Sequence, residues 1–302
     1  MELLKASDLV KSFGNTNAAV KGINFHIEEG RCVSLLGPNG AGKTTTLKML
    51  SGLLAPTSGS INFKGEKPKD LRPYIGYLPQ YPAFYNWMSG KEFLVFAGQL
   101  AKMNRKEAEK RSEELLERVG LTNAKKRKIG GYSGGMKQRL GLAQALIHRP
   151  KLLILDEPVS ALDPLGRREV LDMMREIKEE TTILFSTHVL HDAEEISDDI
   201  LIMHAGEIAI SGSLGSVMEE YRQPILQIEF ESPAVDWLKS IASYSFVSEV
   251  NIQGNKTSIV LKDMVNGKQT LLKDIVDRKL PIRKFEISQT TLEDLFVKVV
   301  KA

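Results

Sequence analysis

Gly37-Pro38-Asn39-Gly40-Ala41-Gly42-Lys43-Thr44-Thr45 fits the pattern G-x-x-x-x-G-K-[ST] at every fixed position. The strand-like run Arg31-Cys-Val-Ser-Leu-Leu36 leads in and the helix-like run Thr45-Thr-Leu-Lys-Met-Leu-Ser51 leads out, the context that makes the pattern a site. Its chemistry is mostly backbone. Glycines let successive N–H groups converge without a Cβ in the way, and the following helix adds its positive N-terminal end, so a polyphosphate fits. Lys43 is placed to reach the outer phosphates, and the Thr44 hydroxyl to hold a magnesium ion.

Working outward, 302 residues suggest about two domains. The balance of 41 basic against 38 acidic side chains, +3 in all, is too weak to argue for nucleic acid as the main partner. Cys32 is the only cysteine, which excludes an internal disulfide, and it reads as a small buried hydrophobe in a reducing compartment. No apolar run approaches the roughly 18 residues that span a bilayer, and the first residues lack the pattern of a signal peptide, so the chain is expected in the cytoplasm.

Residues 3–10 and 20–28 read as an antiparallel pair about the turn-rich Gly14-Asn-Thr-Asn17. Phe13, just before that turn, serves equally as a core residue or as a ring stacked on a purine. Strands are predicted at Ser60–Lys64 and Ile75–Leu78, the latter followed by Pro79-Gln80. Aromatic residues then concentrate: Phe93 and Phe96 have helical spacing and read as core, whereas Tyr81, Phe84, Tyr85 and Trp87 lie in a loop and read as a partner-binding surface. Residues 90–120 form a helical insert with Leu115, Leu116 and Val119 on its apolar side, and Lys125-Lys-Arg-Lys128 reads as solvated charge.

Gly130-Gly-Tyr-Ser-Gly-Gly-Met136 precedes a helix expected over 137–148, a second anion-binding device. A single phosphate loop has no evident use for it. Lys151-Leu-Leu-Ile-Leu-Asp-Glu-Pro158 reads as a buried parallel strand ending in two carboxylates. Asp156 is placed to complete the magnesium shell with Thr44, and Glu157 to take a proton from water. Ser160-Ala-Leu-Asp163 closes a turn before a helix from Pro164 to Glu180, and the next buried strand, Thr182–Phe185, ends in Ser186-Thr-His188. His188 and His191 lack a third metal ligand, so His188 at a parallel strand's C-terminal end reads as facing the outer phosphate. Residues 200–204 and 207–211 form a hairpin.

Together these residues resemble the nucleotide-binding subunit of an ABC transporter across about residues 1–220. In that family's terms Gly37–Thr45 is the Walker A loop, Gln80 the Q-loop glutamine, Tyr132–Met136 the signature, Leu152–Glu157 Walker B, Ser160–Asp163 the D-loop and His188 the switch histidine. The resemblance implies an α/β P-loop fold with a RecA-like core, an antiparallel β subdomain and a helical subdomain over about 88–150. It implies MgATP held by Gly37, Pro38, Asn39, Gly40, Ala41, Gly42, Lys43, Thr44 and Thr45, with Phe13 stacked on adenine. It implies magnesium ligands Thr44, Gln80 and Asp156, and hydrolysis by Glu157, His188 and Gln80. It also accounts for the surplus anion site: two copies pair head to tail, and Ser133, Gly134 and Gly135 of one close over ATP held by the other. Tyr132 and Met136 replace the commoner leucine and glutamine, and Phe13 the commoner tyrosine, while the Ser-Gly-Gly centre is intact.

In such subunits the segment after Gln80 receives the membrane permease, which implies docking near Tyr81, Phe84, Tyr85 and Trp87 and a place on the inner face of the membrane. Beyond residue 220 the elements read β-α-β-β-α-β, a ferredoxin-like α+β domain over 221–302, followed by a helix over 291–300. That tail is similar to those of ABC-2 exporters of drugs, antibiotics and sodium. A soluble ABC ATPase uncoupled from transport predicts a second nucleotide domain, a coiled-coil insert or zinc cysteines, all missing here; an import subunit is the other alternative.

Overall fold

The computed structural model describes all residues except 15–17, 161, 222–223, 233, 290 and 302. Most of the turn expected at Gly14–Asn17, and Ala161 of the Ser160–Asp163 turn, therefore lie outside the described residues. The chain divides into two compact units, Met1–Leu214 with Val299–Ala302, and Gly215–Lys298.

In the first unit β1 (Glu2–Lys11) pairs antiparallel with β2 (Val20–Glu28). β3 (Cys32–Leu36) is buried at all five positions and runs through the glycine loop into α1 (Lys43–Leu50). β4 (Ser58–Phe63) joins the other side of β1, completing a three-stranded antiparallel sheet. β5 (Ile75–Leu78) is followed by α2 (Gly90–Leu100), which opens on a capping box of Ser89 and Glu92, and α3 (Arg105–Arg118), capped by Asn104. α4 (Gly134–Leu146) starts three residues before the expected position, because the Ser133 hydroxyl accepts from the Met136 N–H and caps it. Then come β6 (Leu152–Asp156), α5 (Pro164–Lys178), β7 (Thr182–Thr187), α6 (Leu190–Ile196) and the hairpin of β8 (Asp199–His204) and β9 (Glu207–Ser213).

The central sheet has the order β5-β6-β7-β3-β8-β9, parallel except for the last pair. Strands buried on both faces need near-continuous apolar sequence, as β3, β6 and β7 have. Alternation along β6 divides the core: Leu153 and Leu155 pack with Cys32, Phe185 and α4 and α5 residues on one face, while Leu152 and Ile154 pack with Leu47, Leu50 and the antiparallel sheet on the other. The C-terminal ends of the parallel strands thereby gather on one edge of the sheet, where β3, β5, β6 and β7 deliver Gly37, Gln80, Glu157 and His188.

Cys32 is buried as expected, and burial pushes its thiol up to about 12. Lys126, Arg127 and Lys128 are exposed, as solvated charge requires, while Lys125 pairs with Glu113 at 2.5 Å and the Arg127 guanidinium donates to the Gly131 carbonyl. One reading of the insert is corrected. Phe96 is not core: it stands at the surface, edge-on to Tyr85 at 6.0 Å. Phe93 is buried, and Phe84, expected on the docking surface, is half-buried with its ring 5.0 Å from that of Phe93.

The second unit takes in all but the first residue of α7 (Leu214–Glu220), then β10 (Pro224–Phe230), α8 (Val235–Ile241), β11 (Val247–Gln253), β12 (Lys256–Leu261), α9 (Met264–Asp277), β13 (Ile282–Gln289) and α10 (Leu292–Lys301) as far as Lys298. The antiparallel order β11-β12-β10-β13 is that of a ferredoxin-like sheet. Leu226, Ile228 and Phe230 pack beneath Trp237, Leu238 and Leu271, and the Trp237 indole N–H donates to Asp274 at 2.8 Å, tying α8 to α9. No helix among the described residues is long and apolar enough to cross a membrane.

Candidate active site

The glycine loop is shaped by close approach as well as by torsion. A Cβ on Gly37 would stand 2.4 Å from the Met203 carbonyl oxygen, and Gly42, at φ 104°, would place one 2.6 Å from that of Ala19. Gly42 offers no side chain to cap α1, and the first turn of that helix carries no acidic residue, so its N-terminal N–H groups are left for an anion. Lys43 is buried, its ammonium donating to the carbonyls of Gly37 at 2.8 Å and Pro38 at 3.2 Å. Burial holds its pKa below the ordinary lysine value, against the opposing pull of Glu157 and Asp156. A phosphate reaching this ammonium would supply the full negative charge that carbonyl dipoles lack.

Asp156 is almost wholly buried, and its Oδ1 accepts from the Thr44 hydroxyl at 3.1 Å and from the Ser186 hydroxyl at 2.7 Å. The Ser186 oxygen in turn accepts from the Glu157 N–H at 2.9 Å. Glu157 has φ 48°, the left-handed region that a residue bearing a Cβ seldom enters unless its surroundings hold it there. Its side chain is fixed from both sides: Oε2 accepts from the Gln80 amide nitrogen at 2.9 Å, and Oε1 lies 3.3 Å from His188 Nδ1. Tyr77 places its hydroxyl, buried and without a hydrogen bond, on the same edge, where burial and Asp156 push the phenol up.

Lys43, Thr44, Asp156, Glu157, Gln80 and His188 thus form one connected site. Ser186 was not singled out by sequence; the available signal was a hydroxyl beside Thr187 at the end of an otherwise apolar strand. Thr44 and Asp156 present two hard oxygens within 3.1 Å of each other, a donor pair that suits magnesium, with the Gln80 carbonyl oxygen the remaining candidate. Phe13 is half exposed, with the Lys11 ammonium 5.3 Å from its ring centroid. It sits in the connection whose far end, Ala19, touches Gly42.

Ser133, Gly134 and Gly135 lie elsewhere. They line a cleft of about 400 Å³ with Arg139, Leu162, Asp163 and Gly166, and no residue of the glycine loop borders it. Two helices begin there: α4 capped by Ser133, and α5 capped by Asp163 Oδ1, which accepts from the Gly166 N–H at 2.8 Å. The chain therefore carries a phosphate loop with one buried lysine and, apart from it, a pair of helix N-termini, both chemically suited to phosphate. Tyr132, preceding Ser133, is buried and donates its hydroxyl to the Ala124 carbonyl at 2.8 Å.

Residues 20–160 match the model of the ABC transporter family, and residues 212–300 that of the ATP-binding protein DrrA1-3-like C-terminal domain. The uncharacterised ABC transporter ATP-binding protein YxlF of Bacillus subtilis (strain 168) is 49% identical over 300 residues, covering 99% of this chain and 100% of its own. The bacitracin transport ATP-binding protein BcrA of Bacillus licheniformis is 34% identical over 308 residues, covering 99% and 97%. Among solved structures, a dimeric post-hydrolysis state of the ATP-binding cassette MJ0796 with ADP and Pi matches with TM-score 0.64 and 26% identity, over 70% of this chain and 99% of that one.

Proposed function

The chain belongs to the ATP-binding proteins of ABC transporters, and from that premise we propose that two copies, closed over two MgATP, power export through a separate membrane permease. The chain is an ATPase. The observation that carries the mechanism is Glu157 gripped through both carboxylate oxygens, beside the Thr44–Asp156 pair.

In this reading Phe13 stacks on adenine and residues 37–45 wrap the phosphates, with Lys43 exchanging its loop carbonyls for phosphate oxygens. Thr44, Asp156 and the Gln80 carbonyl hold magnesium, which neutralises phosphate charge when bound. Glu157 accepts a proton from water as the water oxygen bonds to the γ-phosphorus, and the bond to the β-phosphate oxygen breaks with its electron pair leaving on ADP. Gln80 and His188 hold Glu157 for that transfer, His188 also facing the γ-phosphate. Ser133, Gly134 and Gly135 of the second copy complete the site from the other side. What supports this pairing is that their cleft lacks any loop residue.

The permease would dock on the exposed Tyr81, Tyr85 and Trp87, with Phe84 buttressing the loop from beneath, and would hold the assembly on the inner face of the membrane. Residues 1–220 are the ATPase domain and 221–302 an accessory domain. Export rather than import is supported by the likeness, along nearly the whole chain, to proteins named for linearmycin resistance and bacitracin transport. The test is Glu157→Gln: it should bind ATP as the parent does and lose at least about 100-fold in turnover, read in a single-turnover assay. Parent-like hydrolysis by that variant would remove Glu157 as the base.

A further inference from the structure

Two chain segments leave the hydrolytic site, and they meet again one turn away from it. From Glu157 the chain runs to Asp163, the cap of α5, and Arg167 stands four residues on, one turn along the helix. From His188 it enters α6, where Asp192 also stands four residues on. Arg167 donates through both Nε, at 2.9 Å, and Nη2 to Asp192 Oδ1. Asp192 is only 1% exposed, and its Oδ2 is buried without a hydrogen bond. Two contacts, the 3.3 Å approach of His188 to Glu157 and the Arg167–Asp192 pair, therefore tie the segment that follows Glu157 to the segment that follows His188 at both ends.

For adhesion between α5 and α6 this pair, its carboxylate buried and its guanidinium 30% exposed, is a poor device. Desolvating the carboxylate offsets much of the attraction, and an apolar contact of similar volume would hold the helices as well. Further out, Arg168 and Arg175 already pair with Glu195 across the same two helices. What the forked guanidinium on a single carboxylate oxygen adds is a fixed register. We infer that Arg167 and Asp192 are positioning residues for hydrolysis, setting where His188 stands against Glu157 by locking α6 onto α5. The inference rests on the roles given above to Glu157 and His188.

The test is a mutant cycle on the full chain, measuring steady-state ATPase and equilibrium nucleotide binding. Asp192→Asn keeps an acceptor of the same shape, and the Arg167 guanidinium left without its counter-charge is partly exposed to water. It should lower kcat roughly 10-fold while KM and the nucleotide Kd stay within about 2-fold. In a His188→Ala background it should lower kcat little further, because its effect passes through His188. If Asp192→Asn fails to fold, Arg167→Lys, which retains the charge but not the fork, takes its place in the same cycle. Full additivity with His188→Ala, or parent-like kcat in a folded variant, overturns the inference while His188→Ala remains impaired. A fully active His188→Ala would instead overturn the His188 reading, and the inference with it.

Discussion

Ser186 does more in this site than its side chain suggests: one hydroxyl donates to Asp156 Oδ1 and accepts from the Glu157 N–H, fixing both carboxylate residues at once. Replacing it with alanine leaves a buried carboxylate short of a donor and a left-handed backbone short of an acceptor. Ser186→Ala should cost about 1–3 kcal/mol in stability and lower kcat about 10-fold with binding of nucleotide nearly unchanged. Chemical denaturation beside ATPase kinetics reads both, and an unchanged kcat would show that Thr44 and Gln80 hold the carboxylates without it. The limits of sequence reading are visible here. Lys43, Thr44, Asp156, Glu157 and His188 were legible because their chemistry is tied to local pattern: a glycine loop, a strand tip, a helix start. Ser186 acts through its register opposite Asp156 on the neighbouring strand, a pairing between residues 30 apart that no local pattern encodes.

At the level of elements, the tyrosine that replaces leucine before Ser133 has a partner elsewhere in the chain. A Cβ on Gly90, the first residue of α2, would stand 2.4 Å from the Tyr132 hydroxyl oxygen, which is itself held on the Ala124 carbonyl. The same wall is laced by backbone, the Gly130 N–H donating to Asn86 at 3.0 Å and that of Ile129 to Met88 at 2.9 Å. The aromatic loop and the approach to Ser133 are thus one packed unit. Gly90→Ala should destabilise the chain by about 1–3 kcal/mol through overpacking, and Tyr132→Phe should relieve at least half of that. Equal cost of Gly90→Ala in both backgrounds, by thermal or denaturant unfolding, would assign the glycine to something other than the tyrosine. Spacing alone misassigned Phe96 because helical period marks a face without saying whether anything covers it: Phe93 meets the core and Phe84, whereas Phe96 stands at the surface, edge-on to Tyr85 of the aromatic loop. The start of α4 moved for a related reason, since the Ser133 cap draws Gly134 and Gly135 into the first turn, where their N–H groups become donors for an anion.

Over the whole molecule, the α/β fold that the resemblance implied is the one observed, and the second unit's sheet order agrees with the β-α-β-β-α-β reading of its sequence. In the proposed pairing, the division of phosphate chemistry between the loop at Lys43 and the cleft at Ser133 leaves the single chain with half of each site. The most direct test is the ATPase rate per chain at saturating MgATP, followed across protein concentration together with the molecular mass. The rate per chain should climb with concentration as a 33.6 kDa species gives way to one of twice that mass. A rate per chain that stays at its full value where only the 33.6 kDa species exists would contradict the shared site.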